Sequence, residues 1–172
     1  MKTMKYIWVL AALAVGGTAL WILRSKTKSK ASDEEWAARE ELIGNVRRFS
    51  GCCQTLLMAV QTQNALLIQK KLDAWKKRMV EMPAICGYFE KLCAARATPL
   101  ETAIDWLSTL ERWGIQHGEI DSVFTITNDY EKLYIFDDVY PMGAEAKVIQ
   151  PAWWLRTEDR LICIETGAAE IQ

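Results

Sequence analysis

Apolar positions follow three different rhythms along this chain. The first is an unbroken run, Tyr6 to Leu23, eighteen residues without a charge. A helix of that length is roughly 27 Å long, close to the hydrocarbon thickness of a bilayer. The second rhythm is a 4-3 spacing through Leu42, Val46, Phe49, Cys53, Leu56, Val60 and Leu67, which predicts an amphipathic helix with a coiled-coil-like seam. The third is short and alternating. It begins after Gly114 and predicts strands separated by turns.

The first run reads as one membrane-spanning helix. Trp8 and Trp21 stand near its ends, where aromatic rings favour the interface. Ala12 and Gly16 form a small-xxx-small pair that could seat another helix. A cleaved signal peptide is the rival reading, but Leu20 to Leu23 continue past the small residues at 17–19, so an uncleaved anchor fits better. Lys2 and Lys5 precede the run; Arg24, Lys26, Lys28 and Lys30 follow it. That excess predicts a single-pass protein whose C-terminal portion is cytoplasmic, with the basic linker at 25–32 facing lipid headgroups.

Ser32 and Glu35 have capping-box spacing at the head of the seam. The apolar phase shifts near 63–68 and continues through Ile68, Leu72, Trp75, Met79 and Met82, which predicts a bend or a new helix. Pro83 suits the first turn of another. Thr98-Pro99-x-Glu101 is a second N-terminal signal, for a helix running to Gly114. Strands are expected around 123–126, 133–136, 147–149, 153–155 and 161–164. Asn128-Asp129 and Pro141–Gly143 read as turns. Helices first and short strands afterwards define an α+β chain. The expected layout is an N-terminal transmembrane helix (1–24), a helical coiled-coil or bundle region (33–114) that dimerises through Leu42, Val46, Phe49, Leu56, Val60 and Leu67, and a small β domain (115–172).

Charge divides the chain at the same boundary. Residues 31–114 carry 11 acidic and 11 basic side chains, whereas residues 115–172 carry 11 acidic against 4 basic, a net of −7. An acidic strand half argues against a nucleic-acid surface, which needs Lys and Arg to meet phosphate. Five cysteines without framework spacing do not suggest a disulfide scaffold. The single histidine, His117, has no nucleophile or metal partner nearby in sequence. Cys52 and Cys53 diverge by about 100° on a helix. No cofactor, metal or catalytic constellation is expected, and an enzyme is not the reading these residues favour.

The last 70 residues resemble the GrpE family, the nucleotide exchange factors of DnaK-type chaperones. Leu100 to Ile115, LETAIDWLSTLERWGI, looks like that family's short helix with an aromatic-Gly-Val/Ile ending. Phe124 followed by Glu131 resembles its Phe-…-His-Glu segment, without the histidine. Val148 to Ile171 resembles its closing stretch, with Trp153 at the family's tyrosine, Leu155 at its leucine and Asp159-Arg160-Leu161-Ile162 at its strand. Pro151-Ala152 stands where the family has Lys-Gly. The resemblance implies a helix-paired homodimer whose β domain binds the open form of a DnaK-type chaperone and promotes ADP release. Trp153, Leu155, Arg160 and Glu131 would then be the partner-binding residues. The alternative function is a membrane-tethered interaction or structural module without exchange activity. One of Trp153 and Trp154 should face outward, because neighbours in a strand alternate.

Overall fold

The 4-3 seam does not form one helix. In the computed structural model, which describes residues 32–157 and 160–172, it is cut into three elements. Helix α1 (Asp33–Asn45) ends where the Asn45 side-chain amide donates back to the Glu41 carbonyl at 2.9 Å. A 3-10 turn, Val46–Phe49, follows, and Gly51 at φ 79° redirects the chain into helix α2 (Cys53–Thr62). Left-handed backbone costs a glycine little, so Gly51 is the residue that permits the break. Gln63 at φ 55° ends α2, and the Asn64 side chain caps helix α3 (Ala65–Met79) by accepting the Leu67 N–H at 3.1 Å.

Helix α4 (Pro83–Ala94) carries its proline in the first turn. Helix α5 (Pro99–Arg112) starts on the expected box: Thr98 Oγ1 accepts the Glu101 N–H, and Glu101 reaches back to the Ala97 N–H, both at 3.2 Å. It stops at Gly114, φ 101°. Helices α1 to α5 pack with α1 on α4 and with α5 against α2, α3 and α4. Their core is apolar and aromatic. Phe49 stacks on Trp75 at 4.8 Å; Trp106 meets Trp75 at 5.4 Å and Phe89 at 5.0 Å, edge to face. Edge-to-face pairs align ring edge with ring face and add about 1 kcal/mol beyond burial.

After Gly114 the chain builds strands β1 (Ile115–His117), β2 (Val123–Thr125), β3 (Tyr134–Phe136), β4 (Glu145–Gln150), β5 (Trp153–Arg156), β6 (Leu161–Glu165) and β7 (Gly167–Ile171), with a one-turn helix α6 (Asn128–Glu131) before β3. β4 pairs with β7 and β5 with β6, so residues 145–156 and 161–171 form one long antiparallel ribbon, bent at Pro151-Ala152 and Thr166. β1 extends one end to give the order β1-β5-β6; β2 and β3 flank the other to give β2-β4-β7-β3. The bend needs Gly167. A Cβ there would lie 2.5 Å from both the Ala152 nitrogen and the Gln150 oxygen.

Each face of the first sheet meets a different core. Ile115, Leu155 and Ile164 join the helical core, while Trp154 joins a second core with Ile126, Leu133, Tyr134, Val148 and Ala169.

The expected architecture is corrected accordingly. Among the described residues no helix is long and apolar enough to cross a membrane. The span expected at 6–23, with Trp8, Gly16 and Trp21, lies outside the described residues. The coiled-coil seam is replaced by a folded-back bundle, because Gly51 and Gln63 leave the helical region of backbone space. The strands do not stand apart as a small separate domain: Asp33–Gln172 form one compact unit in which β1, β5 and β6 complete the helical core.

Candidate interaction surface

Leu155 is fully buried and Trp153 is 3% exposed. Both project from β5 into the helical core, and the Trp153 indole N–H donates to Gln54 Oε1 of α2 at 2.8 Å. Trp154 points the other way and is buried too, its indole donating to Gln116 Oε1 at 2.9 Å. Alternation therefore sends the two rings to opposite faces, but neither faces solvent, since both faces of the sheet are covered. Glu131 and Arg160 are exposed. Glu131 Oε1 accepts the Tyr140 hydroxyl at 3.1 Å, and the Arg160 N–H donates to Thr157 Oγ1 at 3.2 Å.

The residues expected at a dimer seam are occupied within one chain. Leu42, Val46, Phe49, Leu56 and Val60 are buried in the helical core, and Leu67 is partly buried against it. A side chain packed in that core has no face left for a second copy.

The helical and strand halves are joined through Glu165. Its Oε1 accepts the N–H groups of Cys53 at 2.9 Å and Gln54 at 3.3 Å, capping the start of α2 from β6. A carboxylate at a helix N-terminus meets free donors and the positive end of the dipole. Burial nevertheless raises the Glu165 carboxyl above its ordinary value, outweighing the backbone N–H bonds that lower it. Burial also pushes up the thiols of Cys52, Cys53 and Cys93. His117 lies against Trp153, the ring centres 4.5 Å apart and the planes inclined at 33°, with Nδ1 2.9 Å from the Gly118 carbonyl oxygen.

The far end of the second sheet is different. Among the described residues β3 is its edge, parallel to β7. The Gly167 N–H bonds the Leu133 carbonyl at 2.9 Å, which sets the phase of the ladder. Alternate residues of a parallel strand bond to one neighbour, so Leu133 and Ile135 turn to β7 and the backbone groups of Tyr134 and Phe136 turn to the open side. Beside that edge the loop 137–144 forms a groove. Its aromatic wall is Phe136 and Tyr140, 4.4 Å apart and inclined at 51°. Its carboxylates are Glu131, Asp137 and Asp138. Asp137 Oδ1 accepts the Ile171 N–H at 3.0 Å and Asp138 Oδ1 accepts the Val139 N–H at 2.7 Å, so both acids are fixed in place. Val139 is 93% exposed and Ile135 67%, and Met142 is exposed on the same lip.

Partial desolvation, and then the Glu131 carboxylate it bonds, raise the Tyr140 phenol above its ordinary value. No Lys or Arg lines the groove among the described residues. Of the four basic residues of the strand half, Lys147 is paired with Asp121 at 2.6 Å and Arg156 with Asp129 at 3.5 Å, while Lys132, next to Glu131 in the chain, and Arg160 are exposed.

Of this surface, sequence reading found Glu131 alone. Asp137 and Asp138 look like strand terminators, and Pro141 and Gly143 like ordinary turn residues. The available signal was composition: Ile135, Val139 and Met142 are large apolar residues inside an acidic stretch, where a plain turn would be polar throughout. No family model matches the chain, and neither a curated protein nor a solved structure matches it.

Proposed function

We propose that this chain is a protein-binding module that acts through the β3 edge and the adjoining groove, without covalent chemistry. The observation that carries the reading is an open strand edge beside an acidic groove with an aromatic wall and nearly fully exposed Val139 on its lip. Edges of this kind take up extended segments through main-chain hydrogen bonds, with side-chain pockets setting choice. Several residues with chemical potential are engaged elsewhere: His117 against Trp153, Glu165 as a helix cap, and Cys52 and Cys53 as buried thiols.

A photo-crosslinker placed at Val139 should give one discrete adduct in cells. The same group at Leu66, which is 85% exposed on α3, is the control and should give none. Identical adduct patterns at the two positions would defeat the proposal.

A DnaK-type chaperone is the partner nominated by the GrpE-like residues, and co-chaperone activity is the narrower form of the same proposal. With Trp153 and Leu155 committed to the core, contact would fall to Glu131 and Arg160. The full chain should then bind the nucleotide-free chaperone, speed release of labelled ADP, and lose that effect with Arg160→Ala or Glu131→Ala. Binding that ignores nucleotide would leave a module without exchange activity, and absence of binding would remove the chaperone as partner.

A further inference from the structure

Resting on that reading, we infer that the groove and the β3 edge take an extended basic segment of a partner protein, one in which Lys or Arg alternates with aliphatic residues. Charge complementarity sets the first half of that description. Three carboxylates line the groove with no Lys or Arg among its described residues, in a stretch, residues 115–172, whose net charge is −7. Among the described residues, no cluster of three His, Cys, Asp or Glu could hold a metal ion.

The aromatic wall supports the same occupant. A Lys or Arg stem can lie along Phe136 and Tyr140 while its head reaches Glu131 or Asp138.

Alternation sets the second half. A strand added beside β3 sends successive side chains to opposite faces. On the inner face they meet Phe136, which packs against the second core, and the acidic groove. On the outer face they meet exposed Ile135, which pairs in register with Ala168. Basic residues on the first face and aliphatic residues on the second satisfy both. The main-chain groups of Tyr134 and Phe136 supply the pairing that holds the segment extended.

The probes are fluorescent twelve-residue peptides, one repeating Lys-Val and one repeating Glu-Val, added to the full chain while anisotropy is followed. The Lys-Val peptide should bind and the Glu-Val peptide should not at the same concentrations. Glu131→Gln with Asp138→Asn should weaken Lys-Val binding about tenfold, because two cationic groups lose their partners. The amide carbonyl that Asp138→Asn introduces can still accept the Val139 N–H, and unchanged circular dichroism would confirm the fold. Methylating alternate peptide nitrogens on the pairing side should abolish binding.

Equal binding of both peptides, with loss on Val139→Glu, would overturn the basic occupant and leave the groove as a binding site. Lys-Val binding that survives nitrogen methylation would overturn strand addition. Failure of both peptides to bind would overturn this inference, and if crosslinking at Val139 and Leu66 is also indistinguishable, the module reading falls with it.

Discussion

The helical half and the strand half invest their aromatic residues in opposite ways. In the helical core Trp75 and Trp106 are fully buried, and their indole N–H groups have no hydrogen-bond partner among the described residues. In the strand half a run of rings, Phe124, Tyr130, Tyr134, Phe136 and Tyr140, leads from the second core to the groove with half-buried members along the way. Packing decided the first arrangement, and the cost of two unpaired indoles was accepted for it. The second arrangement leaves apolar surface uncovered and surrounds it with carboxylates. The contrast separates a part made for stability from a part whose surface is free to recognise.

The contrast can be broken most easily by large truncations. Trp106→Ala should lower unfolding free energy by about 3–5 kcal/mol in urea titration, the usual cost of emptying an aromatic core site. Tyr140→Ala should cost much less. The reverse order would mean that the groove rings carry the fold.

Gly167→Val comes next. Its side chain would press on backbone at the ribbon's bend, and overpacking of this kind costs about 1–3 kcal/mol. Both halves should lose stability together, seen as coincident far-UV and tryptophan fluorescence transitions. Separate transitions would show that the ribbon does not bind the halves into one cooperative unit.

Glu165→Gln sharpens the same point through pH. Burial raises the folded carboxyl above its unfolded value near 4.3. The folded state therefore holds the proton more tightly, and this contribution is fully present below the unfolded value. It is lost as pH rises through the folded value. Thermal melts should show wild type losing ground to the Gln variant across that window, with a constant gap above it. A wild type that instead gains on the variant as pH rises would contradict the raised value.

The smallest effect is expected at the groove. Val139→Lys should change stability by no more than about 0.5 kcal/mol, as for other surface sites, while reducing capture of the Lys-Val peptide. A large loss of stability would show that the loop belongs to the structural half.

Local signals in the sequence were read accurately where the chain supplies its own partner. Thr98, Pro99 and Gly114 bound α5 because caps and turns depend on residues a few positions apart. The apolar seam from Leu42 to Val60 is truly buried. Its spacing could not say by what, because helix against distant helix and helix against a second copy present the same pattern. Gly51 interrupts the helical path at φ 79°, a break that the seam's spacing does not show, since positive φ leaves no mark in periodicity. β1 escaped notice because Ile115, Gln116 and His117 are too few to show alternation. The burial of both Trp153 and Trp154 depends on two layers covering one sheet, a tertiary fact that strand alternation alone does not contain. The groove was hidden for the same reason: α6, β3 and the loop after it become one surface only when β3 takes its place against β7.

Glu165 also sets a schedule. Its bond to Cys53 closes a sequence separation of 112 residues. During synthesis α2 emerges long before its cap exists, so its first N–H groups must wait in water until β6 has been made. Closing β5 and β6 onto the helices is then a late, long-range step, the kind that slows folding because so much chain must be ordered at once. The vicinal thiols of Cys52 and Cys53 stand at that waiting site. Their protection from a thiol reagent during translation should appear only after the ribbon arrives, making them a natural clock for the final act of folding.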